Sequence, residues 1–276
     1  DKERHLEPDI KNFEDLWNDR GRMVRVFDVS EAFRRDLIKN APRDEEEFMT
    51  ISNSIAEELK ERNRRRYKSK QIPRDKLFES LWPHQIDAVK SWEGHGNRGI
   101  LSMATGTGKT KTAIAAMDRF FKGKKSGFAV IVSPKQLLVS QWINELKNLG
   151  FTNIVKVMEN SSGWVQDLRT AFANVELGRE REVIAVATYA SFRLEKFKKE
   201  IRQYAPDVLL ICDEMHNSWS PDSRTGLLDE YGYRLGLSAT PERYLDEEGT
   251  AEMQEYFGGI VFNYSIAQAI PKFLVP

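Results

Sequence analysis

Lys109 and Thr110 close the run Met103-Ala104-Thr105-Gly106-Thr107-Gly108-Lys109-Thr110. These residue types at this spacing suit the holding of phosphate groups. Gly106 and Gly108 let the backbone curl so that its N–H groups point inward. Ala113, Ile114, Met117, Phe120 and Phe121 follow at helical spacing, so the run opens a helix whose positive end faces the same space. Ile100 to Met103 reads as a buried strand. Strand, glycine-rich loop and helix are the parts of a phosphate-binding loop, with Thr105 to Thr110 as the nucleotide-binding residues. Lys109 brings a full charge to the outer phosphates, and the Thr110 hydroxyl is a natural ligand for magnesium, so ATP with Mg2+ is the expected cofactor. The common form of such a loop has a glycine where this chain has Met103. The bland alternative is a glycine-rich turn ahead of an amphipathic helix.

A second piece of chemistry sits in LLICDEMH, where an apolar strand delivers Asp213 and Glu214 to the edge of a sheet. Nucleotide hydrolysis needs one carboxylate for magnesium and one group to orient the attacking water. Consecutive residues at a strand end point different ways and can divide these tasks, Asp213 serving the metal and Glu214 the water. Alone, the pair would read as a charged loop; about a hundred residues after a phosphate loop, it reads as catalytic. His216 could be a surface residue or, next to Glu214, could relay nucleotide state to the piece that follows. Ser238 and Thr240, flanking Ala239 at a later strand end, have hydroxyls that could bond His216 and the carboxylates. Upstream, Gln85 lies in the first turn of a helix that starts after Pro83, and its amide could read the adenine edge with donor and acceptor together. Phe78 or Trp82 could cover the ring.

The elements that must position these residues alternate. Strands are expected at Phe128–Val132, Ile154–Val157, Val183–Ala187, Val208–Cys212, Tyr233–Leu237 and Val261–Tyr264, and helices at Leu137–Leu149, Trp164–Leu177 and Ser191–Tyr204. Near-continuous apolar strands alternating with helices predict an α/β fold, a mostly parallel sheet covered on both faces. In such a sheet the site lies at the carboxyl ends of the strands, where all of these motifs fall.

Composition bounds the reading. The chain has 276 residues, 40% apolar and 30% charged, with 42 Lys plus Arg against 42 Asp plus Glu. A nucleic-acid partner therefore has to be argued from local patches, not net charge. One cysteine, Cys212, rules out an internal disulfide, no apolar run approaches the roughly 20 residues of a membrane span, and a cytoplasmic location is expected. His5, His84, His95 and His216 lack metal-ligand spacing.

Residues 1–43 are expected to be the tail of a preceding domain or a packed extension, too small for a core of their own. NFEDLWND there resembles the end of phospholipase-D-like nuclease domains, without the His-x-Lys pair that such a nuclease needs. Residues 44–72 read as a charged helix and linker, with Phe48, Ile51, Ile55 and Leu59 as its stripe. It ends in the densest basic cluster of the chain, Arg62, Arg64, Arg65, Arg66, Lys68 and Lys70, which reads as a solvated helix end in preference to a phosphate contact. Residues 73–276 form the main domain.

MATGTGKT, DEMH and LSATPER, in this order and spacing, resemble motifs I, II and III of superfamily 2 helicases and translocases, DEMH being a variant of the DEAH box. VSPKQLLVSQW looks like motif Ia, VATYASF like motif Ib and LWPHQ like the adenine-reading segment. SATPER, EYFGGIVFNYSIAQAI and FLVP look most like the branch of type I and type III restriction motors and DNA-repair helicases. The resemblance runs from about Leu77 to Pro276 and implies the first RecA-like motor domain. It implies that Lys109 and Thr110 hold phosphate and magnesium, that Asp213 holds magnesium, and that Glu214 polarises water. It further implies that His216, Ser238, Ala239 and Thr240 couple hydrolysis to movement. Pro134, Lys135, Gln141, Trp142, Thr188 and Tyr189 would lie on or near a nucleic-acid track, DNA in preference to RNA, contacted mainly at phosphates. For Trp142 and Tyr189, core packing is the alternative. The family's second RecA-like domain, which supplies an arginine finger, has no counterpart in this sequence, which stops at FLVP where a hinge would begin; Arg243 is the nearest arginine after SATPE. Partners implied are that second domain, nuclease or other antiviral-defence subunits, and no membrane. The competing classes are a phosphate-loop ATPase or kinase that ignores nucleic acid, and an inactive nucleotide-binding interaction module.

Overall fold

The computed structural model describes residues 72–160, 163–240 and 246–273. The chain divides into a unit Asp1–Lys70 and a unit Gln71–Pro276. The expected extension at 1–43, the charged helix at 44–72 with its basic cluster (all but Ile72), and Arg243 lie outside the described residues.

Seven strands form one sheet: β1 (Arg98–Met103), β2 (Gly127–Ser133), β3 (Ile154–Val157), β4 (Glu182–Thr188), β5 (Val208–Cys212), β6 (Tyr233–Ser238) and β7 (Ile260–Tyr264). Their spatial order is β3-β4-β2-β5-β6-β1-β7, and every pairing is parallel. The registers bring Ser133 opposite Thr188 and Ser102 opposite Ser238, so the carboxyl ends line up along one edge.

The strands are apolar throughout because both faces are covered. On one face Leu101, Met103, Ala129, Ile131, Leu209 and Ile211 pack against α1 (Pro83–Gly94), α2 (Lys109–Lys122) and α3 (Gln136–Asn148). On the other, the alternate residues Ile100, Val130, Val132, Leu210 and Cys212 belong to a second core. It takes in α4 (Gly163–Glu176), α5 (Tyr189–Phe192) and α6 (Glu195–Ile201). After the short α7 (Pro221–Arg224), α8 (Glu247–Phe257) adds Met253 and Phe257 to it. The last helix, α9, spans Ile266–Phe273.

Two local differences from the sequence reading have physical causes. The single helix expected over Ser191–Tyr204 is broken into α5 and α6, because Leu194 takes an extended ψ of 133°. The side chain of Leu194 packs on the second core, and the Thr188 side chain caps α5 from its start. Helix α8 was not anticipated, although its signals are local. Asp246 accepts the N–H of Gly249 at 2.8 Å, Glu247 and Glu248 occupy the first turn, and Gly258 ends the helix at φ 95°.

The opposite edge of the sheet is pinned by charge. Arg74 donates to Asp118 of α2 at 2.6 Å and to Glu182 at the start of β4, and it stacks on the Phe151 ring at 3.8 Å. An open hollow of about 420 Å³ lies there among charged side chains, including Arg74, Lys122, Arg179 and Arg181. It faces the amino ends of β2 and β4, away from the strand ends where α/β sheets place their sites.

Candidate active site

The loop between β1 and α2 is built on positive φ at Gly106 (82°) and Gly108 (84°). At Gly108 a side chain would also collide with Gln85, whose amide nitrogen lies 2.2 Å from where a Cβ would stand. Nζ of Lys109 folds back across the loop and donates to the carbonyl of Met103 at 3.1 Å. Met103, apolar and buried in place of the usual glycine, thus offers its backbone oxygen to the loop lysine. Thr107 is buried and its hydroxyl donates to Ala104 O at 2.7 Å, while Thr105 and Gly106 are exposed. The Thr110 hydroxyl has no hydrogen-bond partner among the described residues. Lys111, the next residue, is turned away to Ser80 O at 2.9 Å.

Gln85 is 2% exposed and its amide is fully engaged with backbone. Its oxygen accepts the N–H of Trp82 at 2.9 Å, and its nitrogen donates to Thr107 O at 3.2 Å and Gly108 O at 3.3 Å. His84 Nε2 lies 3.0 Å from the same Thr107 oxygen, and its ring stacks on Tyr264 of β7 at 4.3 Å. Sequence reasoning did not single out His84 or Tyr264; a histidine beside Gln85 carries no signal until β7 is placed next to β1. Of the two candidate ring covers, Phe78 is already occupied by the Arg119 guanidinium at 4.3 Å, and Trp82 is 44% exposed.

One strand, β6, separates β1 from β5, so loop, hydroxyls and carboxylates share one edge. Asp213 is buried. Its Oδ2 accepts the indole N–H of Trp142 at 3.0 Å and the hydroxyl of Ser133 at 3.4 Å. No donor among the described residues reaches Oδ1. Glu214 turns the other way because it adopts a left-handed conformation, φ 47° and ψ 56°. Its Oε2 lies 3.7 Å from Nδ1 of His216. That Nδ1 is also 3.4 Å from Oγ of Ser238, which in turn accepts the backbone N–H of Thr240 at 3.1 Å. Asn217 bridges His216 Nε2 and the Glu214 carbonyl at 3.1 and 3.0 Å. The chain thus runs Glu214, His216, Ser238, Thr240; Ala239 is the half-buried link between the last two.

The six candidate track residues divide. Lys135 and Gln141 are exposed and Pro134 and Thr188 half-buried. Trp142 and Tyr189 are 2% and 5% exposed. Trp142 belongs to the core under α3, and the Tyr189 hydroxyl donates to the backbone carbonyl of Asp213 at 3.0 Å. Burial puts both behind that surface, in contact with the carboxylate site. Glu145, one turn beyond Trp142, was not singled out from sequence; burial raises its carboxyl above the usual range and the nearby Asp213 charge adds to this, against a hydrogen bond from Gln141.

The sequence pattern of the family described as type III restriction enzyme, res subunit, matches residues 79–243, well over half of the chain. An Escherichia coli type I restriction enzyme EcoAI endonuclease subunit is 33% identical over 199 residues, 69% of this chain and 22% of that protein. The DNA 3'-5' translocase XPB2 of Sulfurisphaera tokodaii is 29% identical over 203 residues, 73% of this chain and 39% of that protein. The chain thus spans well under half the length of these relatives. Among solved structures, the Type ISP restriction-modification enzyme LlaGI, in complex with a DNA substrate mimic, shares the fold with a TM-score of 0.56 at 20% identity, over 70% of this chain and 20% of that one. The Pyrococcus furiosus Hef helicase domain does so at 0.54 and 21%, over 70% and 39%. With the all-parallel sheet and the loop and DEMH box at one edge, the match over residues 79–243 shows that this chain belongs to the family of type III restriction enzyme res subunits.

Proposed function

We propose that this chain is the ATP-binding half of an ATP-dependent DNA helicase or translocase, acting in a restriction, defence or repair system. The observation that supports it most is the continuous set of contacts along one sheet edge, from Glu214 through His216 and Ser238 to Thr240, next to the loop carrying Lys109. A plain nucleotide-binding module has no use for such a chain. The family membership and the DNA named for XPB2 and LlaGI support the choice of DNA.

The residues present fit ATP with Mg2+. Among the described residues nothing bonds the Thr110 hydroxyl or donates to Oδ1 of Asp213, and nothing lies within 4 Å of a would-be Cβ at Gly106. Among the described residues no group of three or more His, Cys, Asp or Glu could hold a metal by itself. Magnesium suits such a place, because it is commonly held by one or two protein groups plus phosphate and water oxygens. Bound ATP would supply the phosphoryl group transferred to water, and Mg2+ would offset the charge on its oxygens. Lys109, which now donates to the Met103 carbonyl, would hold phosphate oxygens, with the loop N–H groups holding the rest. Thr110 and Asp213 would hold the metal. Glu214 orients water and receives its proton. The His216–Ser238–Thr240 contacts carry the state of Glu214 to the residues after β6. Lys135 and Gln141, both exposed, would meet backbone phosphates. A second RecA-like domain delivers the arginine finger, and the protein works in the cytoplasm with nuclease or other defence subunits as partners.

The test is a steady-state ATPase assay of this chain beside one extended through the next two hundred or so residues. The short chain is expected to turn over very slowly and to bind DNA weakly and in a salt-dependent way, since a finger is worth roughly 10³–10⁵ in rate in related phosphoryl-transfer enzymes. Equal, DNA-stimulated rates for both would defeat the half-motor reading.

A further inference from the structure

We propose that Trp142, assisted by Ser133, is a positioning residue that holds the Asp213 carboxylate in its metal-binding orientation. The proposal rests on the magnesium role given to Asp213 above. A carboxylate is loosely held about its last torsion, which has broad minima. Here two donors converge on one oxygen: the indole N–H of Trp142 at 3.0 Å and the Ser133 hydroxyl at 3.4 Å both reach Oδ2. That fixes the plane of the group and leaves Oδ1 to face a cation. The backbone beneath is held too, by the Asp213 N–H to Val132 O at 2.8 Å and the Tyr189 hydroxyl to Asp213 O at 3.0 Å.

A buried indole N–H must find some acceptor, so ordinary packing is the competing account. Two of the other buried tryptophans take a backbone acceptor, while Trp219, 8% exposed, donates to the surface carboxylate of Glu252 at 3.2 Å. Trp92 donates to the backbone carbonyl of Arg234 and Trp164 to that of Met158. Trp142 donates to the buried carboxylate at the strand-end site, and its ring belongs to the core. Partners that orient a metal ligand typically change metal affinity by about 10- to 100-fold when removed.

The experiment titrates Mg2+ into the 276-residue chain with a fluorescent ATP analogue, comparing wild type, Trp142→Phe and Ser133→Ala. Trp142→Phe keeps a ring in the core and loses only the donor. It is expected to need roughly tenfold to a hundredfold more Mg2+ for half-maximal binding, with its affinity for the analogue in EDTA unchanged. Ser133→Ala, with the longer contact, is expected to shift in the same direction by less. A Trp142→Phe protein with wild-type Mg2+ dependence, or one that loses affinity equally with and without metal, overturns the proposal. If circular dichroism shows Trp142→Phe unfolded, Ser133→Ala decides by the same criteria. Nucleotide binding by the wild type that ignores Mg2+ altogether would overturn the metal role of Asp213 itself, a result separate from any difference among the variants.

Discussion

Gln85 donates its side-chain amide to the carbonyl of Thr107 at 3.2 Å, so a helix residue 22 positions upstream holds the phosphate loop. The same nitrogen reaches Gly108 O, leaving the amide no spare donor in this conformation.

Gln85→Ala is therefore expected to weaken binding of ATP and GTP alike, by about tenfold, which is what one or two hydrogen bonds of about 1 kcal/mol each support. Fluorescence titration with both nucleotides measures it. A loss confined to ATP would show that the amide leaves the loop to read adenine.

Lys109→Ala removes the charge that now rests on Met103 O. It is expected to abolish nucleotide binding or turnover; unchanged affinity and rate would sink the phosphate-loop assignment.

Glu214→Gln keeps the shape of the side chain beside His216 but cannot take up a proton. Binding is expected to persist while hydrolysis is lost in the extended protein, measured by phosphate release. Normal turnover would mean that another residue orients the water.

Asp118 is 1% exposed and meets both Arg74 and Lys122, at 2.6 and 2.8 Å. Asp118→Ala leaves Arg74 half-paired next to the core. Breaking one side of a buried pair costs about 3–5 kcal/mol. Arg74 keeps Glu182 and some water, so a loss nearer about 2 kcal/mol is expected, read as a lower urea midpoint. No measurable shift would show that the network at this edge contributes nothing.

The hydroxyl of Tyr231 is buried with no hydrogen-bond partner among the described residues, and burial holds its pKa well above the usual tyrosine value. Leaving such a group unpaired costs about 1–3 kcal/mol. Tyr231→Phe is expected to be neutral or to raise the urea midpoint, and a clear loss of stability would reveal a partner for the hydroxyl.

From the residues alone one could determine the alternation of strands and helices, the all-round burial of the strands and the loop at 105–110. Each is encoded locally, by apolar runs, helical spacing and glycines. The pair Asp213–Glu214 was legible for the same reason, as a charged break after five apolar residues. The contact between His216 and Ser238 was anticipated from two strand ends and is present at 3.4 Å. What tertiary structure decided is where side chains of ambiguous type point. Trp142 and Tyr189 carry the same letters whether they face a ligand or the core. Only the placement of β2, β4 and β5 side by side turns both onto Asp213. The left-handed turn at Glu214, which sends two adjacent carboxylates to different partners, is likewise invisible in sequence, because glutamate does not favour that conformation and only the surrounding structure can hold it there.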